Sequence, residues 1–254
     1  VSRQIGIELV DLSQTTPDRI MLRKVQSGGG LGNLAGSYAE LLFLLPDFYH
    51  GGEVIVEPWM KFSETLGSLV EIRDDGLQFI GIDSQVFEEG TWVGFRYPSC
   101  ASAMEEQVRE HSLKVAETVR AMGARGYLNM DWGVIAGDDG TRKCLILECN
   151  FRHNGLSHVL DYARRYFSSS MKEKHILFLE NFQLGRSDLS WNEVREALAK
   201  LRYDDEDVLI SRPGQEFGLL PVMPPQQDTC GLVVFGRSAE EVEVLLKRGR
   251  AALG

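Results

Sequence analysis

Cations are scarce in this sequence: 27 Lys and Arg stand against 37 Asp and Glu, a net charge of −10. That balance argues against nucleic-acid binding or attraction to an anionic membrane through bulk charge. An anionic ligand would need local cations or a metal. Cysteine is also scarce. Cys100, Cys144, Cys149 and Cys230 include no CxxC pair, and Cys144 and Cys149 share one strand-like segment. They read as reduced, buried thiols of a cytoplasmic protein, not as a disulfide framework. No apolar run approaches the roughly 18 residues that suggest a membrane span, and no signal-peptide pattern is present. There is no internal repeat and no low-complexity tract. What remains is ordinary globular composition, 254 residues with 43% hydrophobic and 25% charged, enough for one large or two modest domains. The chain begins at Val1 with a strand-like IGIELV almost at once, so the expectation is a piece of a longer protein.

The pattern along the chain mixes strands, hairpins and helices. Val1 to Val10 and Ile20 to Val25 read as strands, followed by a glycine-rich stretch from Ser27 to Gly36. Tyr38 to Leu45 is apolar and helical in character, stopped by Pro46. EVIVE at 53–57 is a β-branched strand ended by Pro58. Ser68 to Arg73 and Leu77 to Asp83 flank Asp74-Asp75-Gly76, a hairpin signal. Val108, Val115, Val119 and Met122 recur at helical spacing in Glu105 to Met122, which Gly123 and Gly126 end. Tyr127 to Ala136 and Lys143 to Cys149 form a second hairpin. Leu156 to Phe167 and the stretch after it look helical. YDDED at 203–207 reads as an acidic linker, followed by a strand-like Val208 to Ser211, a Pro-rich GLLPVMPP and a strand from Gly231 to Phe235. A helix starts at Ser238, with Glu241 placed for a capping box. This mixture predicts an α+β fold, not a doubly wound sheet.

The second hairpin is the most informative segment. If Asp139-Gly140 are the central residues of a tight type I′ turn, Asp131 falls opposite Glu148 and Asn129 opposite Asn150. Alternation then puts these four on one face. Leu128, Met130, Trp132, Leu145, Leu147 and Cys149 take the other. Two opposed carboxylates repel unless a cation lies between them. Carboxylate and amide oxygens suit magnesium, which fills its remaining positions with water and nucleotide phosphates. Arg152, two residues past Asn150, can reach an anion held there. A solvated strand face with incidental acids is the competing reading, and a one-residue register slip would separate Asp131 from Glu148.

Two other features bear on anion binding. Lys24 closes a strand ahead of Ser27-Gly28-Gly29-Gly30-Leu31-Gly32. Glycines let backbone N–H groups approach phosphate, and lysine adds a point charge, although a plain flexible turn fits equally. The spacing is neither a Walker motif nor a dinucleotide-binding one. Glu57 closes an apolar strand and needs a partner or solvent, whereas Trp59 is accounted for by core packing alone. His153 and His158 read as hydrogen-bonded structural residues.

Taken in order from Ile20 to Gly155, these motifs resemble the ATP-grasp superfamily: a strand lysine, KVQSGGGLG, VIVEPWM, an aspartate strand, then Glu-x-Asn-x-Arg at 148–152. The resemblance implies two α+β subdomains clasping ATP between antiparallel sheets. It implies that Lys24, Gly28, Gly29 and Gly30 cover the phosphates. Glu57, Pro58, Trp59 and Met60 would surround adenine and ribose, with Glu64 at the place of a second glutamate. Asp131 would bind one magnesium, Glu148 bridge two and Asn150 bind the second, while Arg152 contacts the transferred phosphoryl group or the acyl phosphate. The implied domains are a small subdomain over 1–60, a large one over 61–185 and an α/β extension over 186–254. The superfamily's usual N-terminal domain and its α-phosphate cation would precede this chain.

The tail GLLPVMPPQQDTCGLVVFGRSAEE, Gly218 to Glu241, is similar to that of pheganomycin-type peptide ligases, although GRSxEE before a helix also occurs in biotin-carboxylase-like enzymes. The implied activity is an ATP- and magnesium-dependent, ADP-forming joining of a carboxylate to an amine, with amino-acid or peptide substrates. It would be a cytoplasmic enzyme with no nucleic-acid or membrane partner. Such ligases are often dimers, which makes a homodimer the corresponding expectation. Biotin-carboxylase-like chemistry and a catalytically silent nucleotide-binding module are the alternatives.

Overall fold

The long strands of this chain build one wide antiparallel sheet, and the helices cover it. A computed structural model describes residues 20–24, 33–35, 54–58, 62–88, 91–100, 102–136, 140–167 and 174–254. The chain divides into two units, Val1–Lys61 and Phe62–Gly254.

In the first unit, β1 (Ile20–Lys24), β2 (Asn33–Ala35) and β3 (Val54–Pro58) form a sheet in the order β2-β1-β3. Both pairings are antiparallel, with Leu22 opposite Asn33 on one side and Val56 on the other. The glycine-rich stretch from Ser27 to Gly36 thus contains strand β2. The strand expected over Val1 to Val10 and the helix over Tyr38 to Leu45 lie outside the described residues.

The second unit holds the longer strands: β4 (Glu64–Ile72), β5 (Leu77–Glu88), β6 (Thr91–Tyr97), β7 (Gly126–Ala136), β8 (Arg142–Asn150) and β9 (His175–Gln183). The short pair β10 (Arg202–Tyr203) and β11 (Glu206–Asp207) follows, then β12 (Gly218–Gln226) and β13 (Thr229–Gly236). Among the described residues, eight of these form one sheet in the order β12-β13-β9-β6-β5-β4-β7-β8. The helices are α1 (Glu105–Ala121), α2 (Gly155–Tyr166), α3 (Trp191–Ala199) and α4 (Ala239–Leu253). Residues 186–254, set apart above as an extension, supply β12 and β13 to this same sheet.

Alternation sorts the side chains by face. On one face, Leu66, Val70, Leu128, Met130, Trp132 and Val134 pack with Val108 and Ala116 of α1. Beneath α1, Trp132 donates its indole N–H to Ser68 Oγ at 2.8 Å, and Ser68 meets Ser112 of α1 at 2.8 Å, so these buried polar atoms are satisfied. Val194, Leu198, Leu245 and Leu246 of α3 and α4 cover the β9–β13 end. The opposite face takes α2, whose Leu156, Val159 and Leu160 pack on Phe95, Phe178, Val233 and Phe235. Asn154 caps α2 by accepting from the Ser157 N–H at 2.9 Å.

Four local expectations change. The stretch after Phe167, read as helical, contains β9. HILFLENFQ lies between β6 and β13, and a strand with neighbours on both sides reads as a continuous apolar run that periodicity cannot separate from a buried helix. The acidic linker is the small hairpin of β10 and β11. It turns through Asp204 and Asp205 at φ 50° and 61°, the left-handed pair a type I′ turn requires. GLLPVMPP is strand β12, where three prolines are tolerated because it is the sheet edge and breaks register at Pro221/Met223. At α4, Ser238 accepts from the Glu241 N–H, but Glu241 reaches Arg237, whose N–H it accepts at 2.5 Å, so the reciprocal half of the capping box is displaced by one residue. Of the cysteines, Cys144 and Cys230 are buried, Cys149 is half-buried and Cys100 is exposed; all four are free. Among the described residues no helix is long and apolar enough to cross a membrane.

Candidate functional site

The acids sit where strand pairing forces them together. In the β7–β8 ladder Asp131 is directly opposite Glu148, and Asn129 directly opposite Asn150. Directly opposed residues share a face, here the one opposite Trp132 and α1. The expected register is therefore present at the acids. Nearer the end of the hairpin it is offset by one residue: Ala136 pairs with Arg142 and Trp132 with Ile146. Leu147 is the extra residue of a bulge that restores the expected pairing at Asp131. Over the offset stretch the β8 faces are exchanged: Cys144, not Leu145, joins the covered apolar face, and Leu145 stays exposed.

Asp131 is held by two amides. Gln85 of β5 donates Nε2–H to Oδ1 at 2.8 Å, and Asn150 donates Nδ2–H to Oδ2 at 3.2 Å. Asn150 Oδ1 in turn accepts from Arg152 at 3.5 Å. Buried Asn129 donates to the Ser68 carbonyl at 3.1 Å, which ties the ladder to β4. Arg152 is exposed, and His153 stacks edge-on against Tyr127.

A third carboxyl completes the row. Gly67 of β4 pairs with Asp131 on one side and Asp83 of β5 on the other. A Cβ on Gly67 would lie 2.4 Å from an Asp83 carboxylate oxygen, so only glycine leaves room for that carboxyl to lie over β4. Asp83 is 4% exposed. Burial, then the charge of Asp131, pushes its carboxyl up to about 8, against smaller opposing bonds from backbone N–H groups. Burial followed by the charges of Asp131 and Glu148 likewise raises the Cys149 thiol to about 11. Asp131 is the charge common to both shifts, and the opposed carboxylates of Asp131 and Glu148 favour a cation between them.

The donor set fits magnesium. Among the described residues no three His, Cys, Asp or Glu side chains gather into a metal cluster. Two carboxylates and an amide oxygen are the hard, sparse oxygen set that magnesium uses when water and phosphate supply the rest. Asp131, Glu148 and Asn150 are the residues that can hold it.

The other predicted residues fall elsewhere. Glu64 pairs with buried Val134, so it projects from the α1 face, opposite Asp131, where Arg142 binds it at 2.9 Å. Lys24 closes β1 opposite Val54, and Glu57 and Pro58 end β3 opposite Met21 and Ile20; all three belong to the first unit. Gly28, Gly29, Gly30, Trp59 and Met60 lie outside the described residues. Sequence reasoning missed Asp83 and Gln85. The one local mark was a run of three polar residues, Asp83-Ser84-Gln85, which does not say which face or partner each takes.

No family model and no curated protein matches the chain. Solved structures do. N5-carboxyaminoimidazole synthase from Aspergillus clavatus, in complex with ADP and 5-aminoimidazole ribonucleotide, matches 99% of this chain and 64% of its own at 13% identity, with a TM-score of 0.60. N5-carboxyaminoimidazole ribonucleotide synthetase from Thermus thermophilus matches 100% and 64% at 14% identity, TM-score 0.58. Rhizobium etli pyruvate carboxylase matches 98% of this chain and 24% of its own at 15% identity, TM-score 0.60. The fold is the α+β ATP-grasp fold. The chain spans about three fifths of the length of the synthases it matches.

Proposed function

We propose that this chain is the nucleotide-binding and catalytic part of an ATP- and magnesium-dependent ligase that joins a carboxylate to an amine and releases ADP. The observation that carries the proposal is the direct pairing of Asp131 with Glu148, with Asn150 on the same face. Synthases of the same fold crystallised with ATP or ADP support it.

Phosphoryl transfer depends on positioning and charge neutralisation more than on a strong base. Magnesium would supply charge neutralisation and in-line orientation of the phosphate oxygens. Asp131, bonded by Gln85 and Asn150, and Glu148 would hold it, with the amide oxygen of Asn150 as a further ligand. Arg152, bonded to Asn150, would bind the transferred phosphoryl group or the acyl phosphate, the mixed anhydride that the amine then attacks. The assignments of Lys24, Gly28, Gly29 and Gly30 to phosphate, and of Glu57, Pro58, Trp59 and Met60 to adenine and ribose, rest on sequence resemblance.

Amino acids or peptides are the proposed substrates, on the strength of the tail from Gly218 to Glu241. The solved neighbours favour a second reading, in which bicarbonate is the carboxylate and an amine is carboxylated. ADP release with magnesium, measured over pooled amino acids and peptides and separately with bicarbonate, decides between them. Release that requires an amino acid or peptide supports the first reading, and release that requires bicarbonate the second. No ADP under any condition, with ATP–magnesium still stabilising the protein, would leave a silent nucleotide-binding module.

A further inference from the structure

Gln85 reaches further than its place in the sheet suggests. It stands on β5, Asp131 on β7, and β4 runs between them. Neighbouring strands are about 4.8 Å apart, so the two backbones are separated by roughly 10 Å. The amide crosses that gap to donate to Asp131 Oδ1 at 2.8 Å. The β4 residue facing Asp131 is Gly67, and the Asp83 carboxyl lies over it beside this path. Buried Phe95 stands opposite Gln85 on β6 and presents an apolar wall on that side.

A carboxylate with one amide on each oxygen cannot rotate without breaking a bond. Asn150 holds Oδ2, but it is itself a proposed ligand whose amide must also serve the metal. Glu148, directly opposite, repels Asp131 whenever no cation separates them. Gln85 is the holding group that has no other proposed task. We propose that Gln85 is a positioning residue that fixes Asp131 in its metal-binding orientation, an inference that rests on the magnesium reading above. Partners of this kind, behind a ligand, typically contribute 10–100-fold to metal affinity.

The test is manganese binding, read by electron paramagnetic resonance on the full chain saturated with a non-hydrolysable ATP analogue. Gln85→Met keeps side-chain length and removes the donor, and Gln85→Leu, shorter and branched, guards against an effect peculiar to the thioether. Both should raise the manganese dissociation constant by about ten-fold or more, with the metal-free thermal midpoint unchanged. In turnover, the magnesium concentration giving half-maximal ADP release should rise more than the rate at saturating magnesium falls. Asp131→Asn serves as the reference and should lose manganese. If both Gln85 variants bind manganese like the parent while Asp131→Asn does not, the inference is overturned and the metal site stands. If Asp131→Asn also binds like the parent, the metal reading fails and takes the inference with it.

Discussion

The two faces of the β7–β8 ribbon are built from alternate residues of the same strands, yet they do opposite work. One face buries Leu128, Met130, Trp132 and Val134 completely or nearly so against α1. The other sets Asp131 against Glu148 and places Asp83 two strands away across Gly67. The apolar face supplies the stability that lets the polar face carry unfavourable charge proximity. Variants on the two faces should therefore separate cleanly, one kind in folding and the other in chemistry.

The largest effect is expected on the packed face. Trp132→Ala removes a fully buried indole together with its bond to Ser68 and should cost about 3–5 kcal/mol, read as a drop in the urea midpoint. A loss under about 1 kcal/mol, well below that range, would mean that α1 and the sheet do not depend on this contact.

On the other face, Glu148→Gln and Asn150→Ala should lower ADP release by about 100-fold or more while the urea midpoint stays at the parent's value. Full activity in both would remove the metal assignment.

Asp83 sharpens the comparison through pH. Its carboxyl is raised from 3.8 to about 8 in the folded state, so between those values the native protein keeps a proton that the unfolded chain releases. The stability this contributes is complete below 3.8 and is lost as pH climbs to about 8. Without metal, the parent should lose up to about 1.4 kcal/mol per pH unit inside this window relative to Asp83→Asn, which cannot ionise. Urea midpoints of the two proteins measured across the window should diverge. Parallel curves would show that Asp83 ionises freely.

Glu64→Gln is the smallest perturbation. Its ion pair with Arg142 is partly exposed and on the far face, so the variant should change stability by less than about 1 kcal/mol and leave nucleotide affinity untouched. Weakened nucleotide binding would return Glu64 to the site.

Part of this was legible in the sequence, for physical reasons. Strand alternation placed Asp131 and Glu148 together because pairing partners in a hairpin are close in sequence. The register at the acids agrees with the one read from the sequence, although the pairing beyond Trp132 is offset by one residue until the bulge at Leu147 restores it. The same shift hid the exchange of Cys144 for Leu145. Gln85 and Asp83 escaped because their partners lie two strands away, and no local pattern encodes which strand β5 will join. β9 escaped because a strand buried on both sides loses its alternation. The helix α3 carried a readable signal in Ser190-x-x-Glu193, a capping box that forms in full. The face that Glu64 takes was not readable from its spacing to Glu57, because the pleat decides it and sends the side chain to the α1 side.

The most direct test is whether nucleotide binding depends on magnesium through these acids. Calorimetric titration of a non-hydrolysable ATP analogue into the parent should show affinity that magnesium strengthens by at least about ten-fold. That gain should disappear in Asp131→Asn. Equal affinity with and without magnesium, or the same gain in the variant, would contradict the account.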